Sequence, residues 1–148
     1  MCTNLVVSCN CGKEKANIMN KNNILSPHVI RNLYCPECSG DVKFDSETMI
    51  NDNGWILEYN MPLIEATFVR LNVNEQEITP EIIFDGGYCS WNGLTPKELD
   101  EGRKQREAIL KLAKVDMKAY LEKLKNWGNQ RMEELKKQGW RKAQRGAY

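Results

Sequence analysis

Two short pairs of thiols are the residues of this chain best suited to chemistry: Cys9 and Cys11 in Ser8-Cys9-Asn10-Cys11-Gly12, and Cys35 and Cys38 in Leu33-Tyr34-Cys35-Pro36-Glu37-Cys38-Ser39-Gly40. Four thiolates delivered as two close pairs are what a tetrahedral zinc ion needs. With Zn–S bonds of about 2.3 Å, neighbouring sulfurs must come within about 4 Å of one another, so each pair has to be presented by a tight turn. Pro36 fixes one backbone angle inside the second turn, and Gly12 and Gly40 can take the positive φ that lets the chain double back. Zinc is favoured over iron because it is the usual occupant of structural sites made of four cysteines; iron, in a rubredoxin-like or iron–sulfur centre, is the less favoured alternative.

The remaining candidates are weaker. Cys2, near the terminus, reads as a mobile thiol, and Cys89, in Tyr88-Cys89-Ser90-Trp91, as a small buried hydrophobe. His28 is the only histidine, and four cysteines already complete a ligand set without it. A nucleophilic cysteine needs a neighbouring base, for which one histidine leaves little choice. The chain carries no Gly-rich phosphate loop, no His-Glu-x-x-His and no Gly-x-Ser-x-Gly. Carboxylates such as Glu58, Glu65 and Asp85 suit a solvated sheet face. No catalytic residue is predicted, and the chain reads as non-enzymatic.

Composition sets the frame for these residues. With 41% hydrophobic and 28% charged residues the chain has globular usage, which argues against wholesale disorder. No run of 18 apolar residues occurs, and the start Met-Cys-Thr-Asn-Leu-Val-Val-Ser lacks the pattern of a signal peptide, so a cytoplasmic location is expected. In a reducing compartment two close cysteine pairs suit a metal better than a disulfide framework. Charge is unevenly distributed: residues 1–95 hold six Lys/Arg against twelve Asp/Glu, and residues 96–148 hold fifteen against eight. That switch marks a boundary, giving a domain over 1–95 and a basic helical extension over 96–148.

The elements that must position the cysteines follow from local pattern. Leu5-Val6-Val7 reads as a strand running into the first pair, and Val29 to Tyr34 as one entering the second. Val42 and Phe44 alternate with polar residues, and the Asn51-Asp52-Asn53-Gly54 loop between apolar runs predicts a hairpin over 48–60. Thr67, Val69, Leu71 and Val73 alternate as in a half-buried strand, and Ile78 to Phe84 is a further strand candidate. Thr95-Pro96-Lys97-Glu98 carries a helix-start signature, with Thr95 as cap, Pro96 in the first turn and Glu98 reaching back. From there Leu110, Ala113, Met117, Tyr120, Leu124 and Trp127 recur at helical spacing, and Gly128 is the first plausible interruption before a shorter basic helix.

Through Cys9, Cys11, Cys35 and Cys38, with Gly12, Pro36 and Gly40 in support, the segment of roughly residues 5–45 resembles zinc-ribbon proteins, in which two knuckles at hairpin tips share one ion. The first pair departs from their commonest pattern, being Cys-x-Cys and not Cys-x-x-Cys. The resemblance implies a bound metal and a nucleic-acid-binding, protein-binding or stabilising module.

The last third admits three partners. If helical throughout, residues 96–127 extend about 48 Å, more than a small domain can cover, so Tyr120, Leu124 and Trp127 are expected to meet a protein partner or a second copy. Lys136, Lys137, Arg141, Lys142 and Arg145, with Trp140 to stack, suit nucleic acid. Trp127, Trp140 and Tyr148 on a basic helix suit an anionic membrane surface. The expected protein is α+β, a zinc ribbon with a small antiparallel β-sheet followed by a long amphipathic helix and a shorter basic one. The expected function is a non-catalytic zinc-stabilised interaction or assembly module, an accessory subunit of a larger complex; the alternatives are a nucleic-acid-binding zinc ribbon and, third, a rubredoxin-like electron carrier.

Overall fold

The computed structural model describes residues 2–75 and 77–144. Arg145 and Tyr148 lie outside the described residues. The chain mixes α and β structure and divides into two compact units, Met1–Asn92 and Gly93–Tyr148. Among the described residues no helix is long and apolar enough to cross a membrane.

The first unit is built on two three-stranded antiparallel sheets. One has the order β1 (Thr3–Ser8), β2 (Lys15–Asn20), β6 (Ser90–Trp91); the other has β3 (Ile30–Tyr34), β5 (Trp55–Tyr59), β4 (Met49–Asp52). The predicted hairpin over 48–60 is present, with Asp52 opposite Trp55 and both turn residues, Asn53 and Gly54, at positive φ (57° and 91°). That is the geometry for which Asn-Gly is favoured. The core of this unit includes Tyr59, Phe68, Phe84 and Trp91, all fully buried. Trp91 meets Phe84 and Trp55 edge-on at 5.5 and 6.2 Å, and its indole N–H donates to the buried Asp52 carboxylate at 2.7 Å.

Two expected strands are helices. Residues 67–73 fall largely in α2 (Met61–Arg70): Asn60 accepts from the Leu63 N–H at 3.3 Å, Pro62 sits in the first turn, and Met61, Ile64, Thr67 and Phe68 turn inward. Val69, part of the apparent alternation, points to solvent. Ile78 to Phe84 falls in α3 (Pro80–Asp85), capped by Thr79, whose hydroxyl accepts from the Ile82 N–H at 3.3 Å. In both cases a side-chain cap plus proline at the first turn outweighs a short period-two pattern. Val42 and Phe44 form no strand; the chain from Cys35 turns instead through the one-turn helix α1 (Pro36–Ser39).

The second unit is a helical hairpin. The helix expected to run unbroken over 96–127 is two helices, α4 (Glu98–Leu110) and α5 (Met117–Gln138), joined by a 3-10 turn over Lys111–Lys114. Asp116 makes the break: its backbone is extended (φ −150°) and its carboxylate accepts from the Ala119 N–H at 3.2 Å as the cap of α5. Gly128 does not interrupt α5, which ends at Gly139 in the left-handed conformation (φ 89°), followed by α6 (Arg141–Gln144). At the other end Thr95 does not cap; Lys97 holds the N-cap position and makes no side-chain cap bond. The helices run antiparallel, with Glu98 paired to Arg131 and Gln105 to Trp127. Leu94, Leu135 and Ala143 form a small core with Met132 and Trp140 packed against it.

Candidate metal centre

The first cysteine pair sits at the tip of the β1–β2 hairpin, whose register runs from Thr3 opposite Asn20 to Ser8 opposite Lys15. The tip is closed by the Cys9 N–H donating to Glu14 O and the Gly12 N–H to Cys9 O, both at 2.8 Å, with Gly12 at φ 77°. The second pair lies on one helical turn. Cys35 is the extended residue before α1, Pro36 starts the turn without needing an N–H, and the Cys38 and Ser39 N–H groups donate to Cys35 O at 3.0 and 2.9 Å. A spacing of three then puts both thiols on the same side of the turn.

Long-range bonds hold the two tips together. The Asn10 N–H donates to Leu33 O at 3.4 Å, the Asn10 side-chain amide to Asn32 Oδ1 at 3.2 Å, and Asn32 in turn to Glu58 on β5 at 2.5 Å. Gly54, in the β4–β5 turn, lies so close to the second tip that a Cβ there would come 3.3 Å from the Pro36 Cβ.

All four sulfurs lie within 4.8 Å of one another, with Cys11 Sγ 3.9 Å from Cys35 Sγ. A tetrahedron of sulfurs around zinc has edges of about 3.8 Å, so the set fits a metal ion of that kind. Cys9 and Cys35 are buried, Cys38 is half-buried and Cys11 exposed. Backbone N–H groups already point at the sulfur charge: Cys35 N–H to Cys9 Sγ at 3.3 Å and Lys13 N–H to Cys11 Sγ at 3.5 Å. The Lys13 N–H, followed by the hydrogen bond from Cys9, lowers the Cys11 thiol to about 7. Hydrogen bonds shared with Cys35, Cys11 and Cys9 push Cys38 up to about 12. A divalent cation among the four sulfurs would favour the thiolate form of each.

The other candidates fall elsewhere. His28 sits in the 3-10 turn Pro27–Val29, outside the cluster. Cys89 is fully buried, and burial pushes its thiol up to about 12. Tyr120, Leu124 and Trp127 do not overhang: they are half-buried in the hairpin, where the Trp127 N–H donates to Gln105 at 2.6 Å and the Arg106 guanidinium lies 5.8 Å from its ring centre. Lys136 and Lys137 are exposed, but Arg141 is half-buried, Lys142 is buried, and neither is without a partner, so the four do not form one open basic patch. Compared with protein families, curated proteins and solved structures, the chain matches none.

Proposed function

We propose that Cys9, Cys11, Cys35 and Cys38 hold one zinc ion in a zinc-ribbon-like arrangement, and that the protein is a non-catalytic, zinc-stabilised assembly module. The carrying observation is the convergence of four sulfurs within 4.8 Å from two segments far apart in sequence. Four protein sulfurs fill a tetrahedral shell and leave no position for a substrate, which is the arrangement of structural and not catalytic zinc. The opposite charge of the two units supports an assembly role, since each offers a face for a differently charged partner. The ribbon likeness is limited to the knuckles: the second tip is followed by α1 and not by a strand, and β3 pairs with the later β5.

Metal analysis of purified protein should find close to one zinc per chain, with no visible absorption of the kind an iron–thiolate centre gives. Cys35→Ser or Cys38→Ser should remove the metal and the cooperative unfolding of the first unit, because the binding energy of a structural zinc is also folding energy. A metal-free protein whose thermal midpoint ignores a strong chelator would refute the site. Partner capture from the native source, beside a salt titration with mixed nucleic acid, tests the assembly role. Steeply salt-dependent nucleic-acid binding without a protein partner would favour the nucleic-acid reading instead.

A further inference from the structure

The bend between α4 and α5 exposes apolar side chains that nothing described in the hairpin covers. Val115 is 84% exposed, Met117 and Leu121 56% each, and Leu110 53%. They lie on either side of one tight turn, in which the Val115 and Asp116 N–H groups both donate to Leu112 O at 3.0 and 2.9 Å. Lys111, Lys114 and Lys118 are interleaved with them and exposed to solvent. The one acidic residue in the bend, Asp116, is committed to capping α5 at its positive end, which offsets its charge.

We infer that this bend is a docking tip for an anionic lipid surface, entered by Leu110, Val115, Met117 and Leu121 and held by Lys111, Lys114 and Lys118. Charge and shape select this occupant. A phosphate-rich nucleic acid would satisfy the lysines but leave four aliphatic side chains in water. A protein interface core is typically depleted of lysine and enriched in arginine and aromatics, whereas every basic residue over 108–130 is a lysine. A convex turn needs no preformed pocket in a fluid bilayer, where apolar groups enter the headgroup boundary and lysine stems reach back to the phosphates. Of the aromatic residues the sequence offers for such a surface, Trp127 and Trp140 are half-buried in the hairpin and Tyr148 lies outside the described residues.

The test is flotation of the full chain with vesicles of phosphatidylcholine alone and of phosphatidylcholine with phosphatidylserine. The wild type should float only with the anionic vesicles and be released by added salt. Lysine charges near such a surface are each worth about fivefold in affinity, so Lys111→Gln with Lys114→Gln and Lys118→Gln should weaken binding roughly a hundredfold. Val115→Ser with Met117→Gln should weaken it at least about tenfold through lost apolar insertion. Far-UV circular dichroism confirms that each variant keeps its helices. Failure of the wild type to float, or unchanged affinity in either folded variant, overturns the proposal. So does a wild-type dimer that Val115→Ser with Met117→Gln dissociates, since the face would then belong to a second copy.

Discussion

Six cysteines of one chain show how far position alone changes the same side chain. In the cluster Cys11 is drawn toward the thiolate, whereas Cys89, fully buried behind a backbone carbonyl that accepts from the Tyr59 hydroxyl at 2.5 Å, is pushed up to about 12 from an ordinary 9.0. A raised folded value means that above about pH 9 the unfolded chain gives up this proton while the folded chain keeps it. Stability from Cys89 is therefore complete below pH 9 and is lost as pH rises toward 12. Between pH 8 and pH 10 the zinc-loaded wild type should lose about 1 kcal/mol more unfolding free energy than Cys89→Ala. Urea unfolding at the two pH values measures this, and parallel losses in both proteins would discard it. The four clustered cysteines are legible in the sequence because each pair is close in the chain and flanked by turn-forming residues. Asn10, Asn32 and Glu58 are not, because their bonds join segments separated by more than twenty residues and no local pattern records such a contact.

Caps decide where the helices of this chain begin. The Thr-Pro start at Thr95-Pro96 and the one at Thr79-Pro80 look alike in sequence, yet only Thr79 accepts a helix N–H; at Thr95 the hydroxyl is buried with the chain and the helix begins three residues later. Asp116 carries no cap signal in the sequence because the apolar spacing continues straight across it, and a cap inside a periodic stretch shows only where the backbone leaves the helix. Once the chain folds back there, the ends of the hairpin must be held. Arg131 does this with a forked pair of bonds to Glu98, Nη2 at 2.6 Å and Nε at 3.1 Å, both side chains mostly out of water. Glu98 holds the Arg131 guanidinium even more firmly in its charged state. Arg131→Met leaves the Glu98 carboxylate without this partner, and Glu98→Gln leaves Arg131 only Glu101 at 3.6 Å, so either should destabilise the second unit by about 2 kcal/mol. Glu98→Gln combined with Arg131→Met should cost less than the two singles added together, as a double-mutant cycle on the helical signal would reveal; additivity would mean that the pair contributes nothing as a pair.

At the scale of the whole chain, the two units depend on different forces. The first spans Met1–Asn92 and has a real core, but at about 0.05–0.15 kcal/mol per residue its stability is of the order of 5–14 kcal/mol. A structural zinc in four thiolates is worth about 10–16 kcal/mol, so on the proposed reading the metal-free first unit retains little or nothing. The second unit contains none of the clustered cysteines and is stabilised by its own small core and the Glu98–Arg131 pair. Chelation should therefore separate them. Trp55 and Trp91 report on the first unit from buried positions and Trp127 and Trp140 on the second, while most helical residues lie in α4 and α5. Adding a strong chelator at neutral pH should red-shift the Trp55 and Trp91 emission, read in a variant with Trp127→Phe and Trp140→Phe, and leave most of the 222 nm ellipticity in place. Restoring zinc should reverse the shift. If ellipticity and emission instead collapse together in one transition, the helical hairpin requires the first unit in order to fold, and the division into separately stabilised units fails even though the proposed metal site stands.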